Sequence, residues 1–205
     1  DYKNCLKSIR ESELYKLHFS KDDFKANDNE DLKQELDFPN TYHIFKENKP
    51  DECEKGLIYL KNRGIGWDLI KKYQIGYTEW DKNYPLMSNR IVIPSFNEYN
   101  ELNYWVGRDF TEKSFQKYCN PKVEKKDIIF NEYLINWDAD ITLCEGPIDY
   151  IAINLNTIPL LGKALSPDFK IYQKLFERAN ANINIFIDGD AKETAYKIYG
   201  ELNQG

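Results

Sequence analysis

From Ile141 onward, short apolar runs alternate with amphipathic stretches. Ile141 to Cys144, Thr157 to Leu161 and Ile183 to Ile187 read as strands, and helices are predicted from Ile148, from Pro167 to Ala179 and from Lys192 to Leu202. Buried strands that alternate with helices predict a parallel sheet covered on both faces, hence an α/β lobe over residues 141–205. Upstream the pattern differs. Two short helices, roughly Glu52 to Asn62 and Trp67 to Tyr73, flank Arg63-Gly64-Ile65-Gly66, and Gly76 is expected to turn the chain. Asn89 to Phe110 then reads as a hairpin, its apolar arms Arg90 to Pro94 and Leu102 to Val106 separated by Asn97 to Asn100. A polar, Lys-rich stretch, Thr111 to Asp127, leads to a short apolar piece around Ile128 to Leu134. These elements predict a smaller α+β lobe over residues 51–140. Residues 1–50 are polar, with an acidic stretch from Asp22 to Asp37 and a break at Pro39, and are read as a linker with some helix.

Composition narrows the class. The 205 residues can hold two small domains, and 41% hydrophobic with 15% aromatic residues is globular material. A net charge of -6 excludes a general nucleic-acid coat protein but leaves room for a local basic groove. Cys5, Cys53, Cys119 and Cys144 show no CxxC spacing, so neither a disulfide framework nor a zinc site is expected within the chain. No apolar run approaches the roughly 20 residues that span a bilayer, and no membrane partner is expected. A reduced, cytoplasmic setting follows.

Two predicted strands end in acids. The first finishes at Glu145-Gly146, with Asp149 in the next helix's first turn, and the third at Asp188-Gly189-Asp190. Ligands of open α/β sheets gather at the carboxyl ends of strands. If these two strands are neighbours, their carboxylates converge, which is costly without a divalent cation; Mg²⁺ or Mn²⁺ with substrate phosphates is the natural occupant, and phosphoryl transfer the natural reaction. The bland alternative is that Asp149 or Asp190 caps the helix that follows it.

The stretches Leu143-Cys144-Glu145-Gly146-Pro147-Ile148-Asp149, Leu161-Gly162-Lys163-Ala164-Leu165-Ser166 and Ile187-Asp188-Gly189-Asp190 resemble the TOPRIM core shared by DnaG-type primases, topoisomerases and some nucleases. Upstream, Tyr59-Leu60-Lys61-Asn62-Arg63-Gly64-Ile65, Tyr73-Gln74-Ile75-Gly76-Tyr77, Arg90-Ile91-Val92-Ile93-Pro94, Val106-Gly107-Arg108 and Lys117-Tyr118-Cys119-Asn120-Pro121 resemble, in order, the primase-specific half of that catalytic core. The resemblance covers about residues 55–200. It implies a TOPRIM fold, Rossmann-like, behind a smaller primase lobe. It makes Glu145, Asp188 and Asp190 the metal ligands and catalytic acids, with Asp149 in support. Arg90, Arg108, Lys117, Tyr118, Asn120 and Lys163 would bind template and nucleotide.

The implied activity is metal-dependent synthesis of short RNA primers from ribonucleoside triphosphates on single-stranded DNA, in company with a replicative helicase. A TOPRIM nuclease and a non-catalytic single-stranded-DNA-binding fragment are the other readings; a topoisomerase is disfavoured for want of a nucleophilic Tyr in a recognisable setting. The chain departs from the family at Lys163, where a small or hydroxyl residue is usual, at Pro147, and at Ile129-Phe130-Asn131-Glu132, which offers no Lys. It opens without Met and stops at Gly205, so a fragment is expected, lacking the family's zinc module and the C-terminal part of TOPRIM.

Overall fold

The structure is a computed structural model that describes residues 36–162 and 165–203, with Glu52 and Asp190 described in backbone only. Residues Leu36–Gly205 group as one compact unit built on two sheets. The first is antiparallel, in the order β1 (Tyr42–Ile44), β2 (Gly76–Thr78), β3 (Arg90–Phe96), β4 (Leu102–Asp109) and β5 (Tyr118–Cys119). The second is parallel, in the order β7 (Thr157–Pro159), β6 (Ile141–Cys144), β8 (Ile183–Phe186).

The hairpin forms as its alternation predicts. β3 and β4 pair from Arg90↔Asp109 to Pro94↔Trp105, and the turn is fixed by Asn97, whose side-chain oxygen accepts the amides of Tyr99 and Glu101 at 2.9 Å each. Helices α1 (Glu54–Lys61) and α2 (Trp67–Lys72) precede it. Both end in the same backbone device: Ile65 N–H returns to Leu60 O, and Ile75 N–H to Ile70 O, with all four side chains buried. Gln74 takes the left-handed conformation that ends α2 (φ 50°), so the turn expected at Gly76 falls two residues earlier and Gly76 opens β2. Gly76 is needed there for a different reason, since a Cβ would sit 2.5 Å from His43 O on β1. β1 itself lies in the stretch read as linker; with only three residues, two of them exposed, it carries no period that a pattern could register.

In the parallel sheet β6 is central. Helix α3 (Pro147–Ile153) connects it to β7 on one side, and α4 (Lys170–Arg178) carries the chain back across to β8 on the other. Right-handed crossovers running in opposite directions must place their helices on opposite faces. The packing agrees: Cys144 joins Ile148, Tyr150 and Ile151 of α3 in one core, whereas Ile141 and Leu143 join Ile171 and Leu175 of α4 and Ile198 of α5 (Lys192–Leu202) in the other. The α3-side core is continuous with the antiparallel sheet through Ile91, Ile93, Tyr104, Val106 and Phe130, so one apolar interior holds both sheets together.

Candidate active site

β6 and β8 are neighbours, paired in parallel from Ile141↔Ile183 to Cys144↔Phe186. Their carboxyl ends therefore lie side by side, and because the chain leaves β6 toward β7 but reaches β8 from the far side, this is the sheet's topological switch point. Glu145 follows β6 directly and is half-buried, while Asp188 stands two residues beyond β8 and is exposed. Asp149 is engaged in capping. Its Oδ2 accepts the Gly146 N–H at 3.2 Å, at the start of a helix that already has Pro147 in its first position. Asp190 lies in the 3-10 turn Gly189–Ala191, its side chain outside the described residues, as Lys163 is altogether. Among the described residues no three acids, histidines or cysteines cluster closely enough to hold an ion. Glu145 and Asp188 are nevertheless hard oxygen donors of the kind that Mg²⁺ takes in ones and twos alongside phosphates. Burial pushes the Cys144 thiol, at the end of β6, up to about 12, with Asp149 adding to the shift.

The cationic residues come from the antiparallel sheet. Arg108, on β4, is 5% exposed, its guanidinium 4.8 Å from the Tyr118 ring centroid and 5.8 Å from that of Tyr59. Its Nε is buried with no hydrogen-bond partner among the described residues, and so is Asn120 Oδ1. A buried guanidinium whose Nε–H has no acceptor is undercompensated, and an anion can complete it. Lys117 and Tyr118 are exposed on and beside β5. Gly107 permits this, because a Cβ there would stand 2.9 Å from Cys119 O and part β5 from β4.

Arg90 lies inside the antiparallel sheet. It is fully buried, and its guanidinium donates to Leu86 O, to Gly107 O and Lys117 O at 3.3 Å, to Ser114 Oγ at 3.1 Å and to Gln116 O at 2.9 Å. Burial lowers its pKa from the ordinary value, with Cys119 and Asp109 opposing that shift. Asp109 holds the same segment from the other side, accepting Thr111 Oγ1 at 2.8 Å, Thr111 N at 3.2 Å and Ser114 N at 3.3 Å. Arg90 thus ties down the backbone of the Lys117 segment.

Two interactions went unread in the sequence. Lys125, beyond β5, donates to Leu161 O at 3.1 Å, bringing the Lys-rich segment to the carboxyl end of β7. Glu132, its side chain 1% exposed, pairs with Lys170 at 2.7 Å and Lys174 at 3.2 Å, both on α4. Neither partner was legible, lying 38 and 42 residues away in sequence, although a Glu in an otherwise apolar run was a signal of some buried countercharge.

A parallel sheet joined to an antiparallel one in this order is the fold found in the DnaG primase catalytic core. The Aquifex aeolicus primase, solved with its zinc-binding and RNA polymerase domains, aligns with a TM-score of 0.63 at 20% identity, covering 75% of this chain and 48% of that one. A DnaG primase catalytic domain bound to ssDNA aligns at 0.55 and 17% identity, over 72% and 60%. In sequence, the DNA primase of Staphylococcus epidermidis is 26% identical over 210 residues, covering 80% of this chain. No family model matches. In sequence and in fold alike, the chain is similar to DnaG-type DNA primases. It spans about a third of the length of the curated relatives it matches.

Proposed function

We propose that this chain is the catalytic portion of a DNA primase that synthesises short RNA primers on single-stranded DNA. The observation that carries the reading is the adjacency of β6 and β8, which lead into Glu145 and Asp188 at the switch point, in a fold whose other sheet presents Arg108 and Lys117. Relatives named as DNA primases support it. Glu145, Asp188 and Asp190, with Asp149 in support, would hold Mg²⁺ or Mn²⁺, and such an ion would supply Lewis-acid activation of a hydroxyl and charge neutralisation of phosphates. Arg108 and Lys117 bind phosphates of template and nucleotide, the Tyr118 ring offers a base a stacking surface, and Asn120 and Lys163 add polar contacts to the same strand. Arg90 keeps Lys117 and Tyr118 in place. The protein works in the cytoplasm, and a replicative helicase is its expected partner at the fork.

Primer synthesis tests this. The full-length protein is incubated with ribonucleoside triphosphates, Mg²⁺ and single-stranded DNA, and Asp188→Asn is run beside it. Metal-dependent RNA products, reduced at least about 100-fold in the variant, are expected, since losing a ligand removes several kcal/mol of transition-state stabilisation. Degradation of the template in place of synthesis would establish a nuclease, and metal-independent binding with no product would leave only a DNA-holding role.

A further inference from the structure

The stretch Tyr59-Leu60-Lys61-Asn62-Arg63-Gly64-Ile65 takes no part in the roles above, although it resembles a primase motif. The structure gives its first residue a use. Tyr59 lies in the last turns of α1 with its ring 8% exposed, and two guanidiniums approach that ring: Arg63 at 4.9 Å from the centroid and Arg108 at 5.8 Å. Arg108 has Tyr118 at 4.8 Å besides. Cations and rings thus come together as Arg63, Tyr59, Arg108 and Tyr118, drawn from α1 and the turn after it, from β4 and from β5. A ring face can hold a cation without consuming its hydrogen-bond donors, which carboxylate pairing would do. That matters for Arg108, whose buried Nε has no partner among the described residues. The Tyr59 hydroxyl is also buried and unpartnered there, so what Tyr59 contributes is its ring.

We propose that Tyr59 is a positioning residue, its π face fixing the guanidiniums of Arg108 and Arg63 so that both present their donors to one stretch of single-stranded DNA backbone. This rests on the reading of Arg108 as a phosphate contact. Two like charges gathered at one ring repel each other, and a phosphodiester brought to them removes that repulsion.

Affinity of the full-length protein for a fluorescein-labelled oligothymidine, read by anisotropy across a series of salt concentrations, tests the proposal. Tyr59→Phe is expected to bind within twofold of the parent. Tyr59→Leu is expected to weaken binding roughly five- to tenfold and to flatten the salt dependence by about one unit of slope for each phosphate no longer bound. In an Arg108→Ala background Tyr59→Leu should add less than in the parent. A parental affinity and slope in Tyr59→Leu, while Arg108→Ala is weak, would overturn the positioning role and leave the phosphate reading standing. Parental binding by Arg108→Ala would overturn both. Equal losses in Tyr59→Phe and Tyr59→Leu would assign the effect to the hydroxyl and overturn the proposal. If Tyr59→Leu does not fold, progressively fluorinated phenylalanines at position 59 decide the matter: affinity should fall with each fluorine as the ring face loses its negative potential, and an unchanged affinity across the series would refute it.

Discussion

The two sheets place their charged groups by opposite means. In the antiparallel sheet charge is held inside: Arg90 and Asp109 are buried, and between them they accept or donate hydrogen bonds all along the segment from Thr111 to Lys117. In the parallel sheet the acids are placed by topology alone, on the ends of two adjacent strands, with Asp188 exposed. The first arrangement is rigid because it is satisfied, and the second rests on strand order and not on side-chain pairing. Changes at Arg90 and Asp109 should therefore cost stability first, and changes at the strand ends should cost chemistry first.

The largest structural effect is expected at Arg90. Arg90→Met removes the guanidinium from five acceptors inside the sheet, of which Lys117 O keeps the Asp109 N–H and Gln116 O keeps the Ser114 hydroxyl, and should destabilise by about 3–5 kcal/mol. Denaturant unfolding measures this, and limited proteolysis should show cleavage between residues 110 and 117 before the core unfolds. Stability equal to the parent would mean that the segment is held by Asp109 alone. Glu132→Gln comes next: it removes the buried partner of Lys170 and Lys174, at roughly 2–3 kcal/mol because both lysines can turn toward water more readily than a core cation could. An unchanged unfolding midpoint would show that the cluster contributes nothing net.

The smallest effect is a pH dependence. Burial pushes the Tyr42 and Tyr104 hydroxyls and the Cys144 thiol up to about 12. These groups stay neutral in the folded chain while the unfolded chain ionises from about pH 8.5–10, so their stabilising contribution is complete below that range and is lost as pH rises toward 12. Melting temperature should fall between pH 8 and pH 11, and Tyr104→Phe, which removes one such group, should reduce the slope. A flat profile would contradict the burial of these groups.

What could be read from the sequence divides along the same line. The parallel lobe was legible because its strands and helices each carry their own period, and the prediction of a helix over Lys192 to Leu202 coincides with α5. The β3–β4 hairpin was legible for the same reason, its arms apolar and its turn marked by Asn97 and Asn100. β1, β2 and β5, of three, three and two residues, were not, because they are defined by their neighbours and not by their own pattern. The placement of Glu145 and Asp188 just beyond two strands was legible because position on a strand is a local property. The burial of Arg90 was missed because it depends on acceptors up to 27 residues away, and Asp149's capping role could be named only as an alternative.

The central claim is that one pole does the chemistry and the other holds the strand. It is tested most directly by measuring, on the same preparations of full-length protein, both primer synthesis and affinity for single-stranded DNA in Glu145→Gln and in Arg108→Ala. The account predicts that Glu145→Gln loses synthesis about 100-fold or more while binding the strand as the parent does, and that Arg108→Ala loses affinity in step with synthesis. Synthesis at the parental rate in Glu145→Gln, or parental affinity in Arg108→Ala, would contradict it.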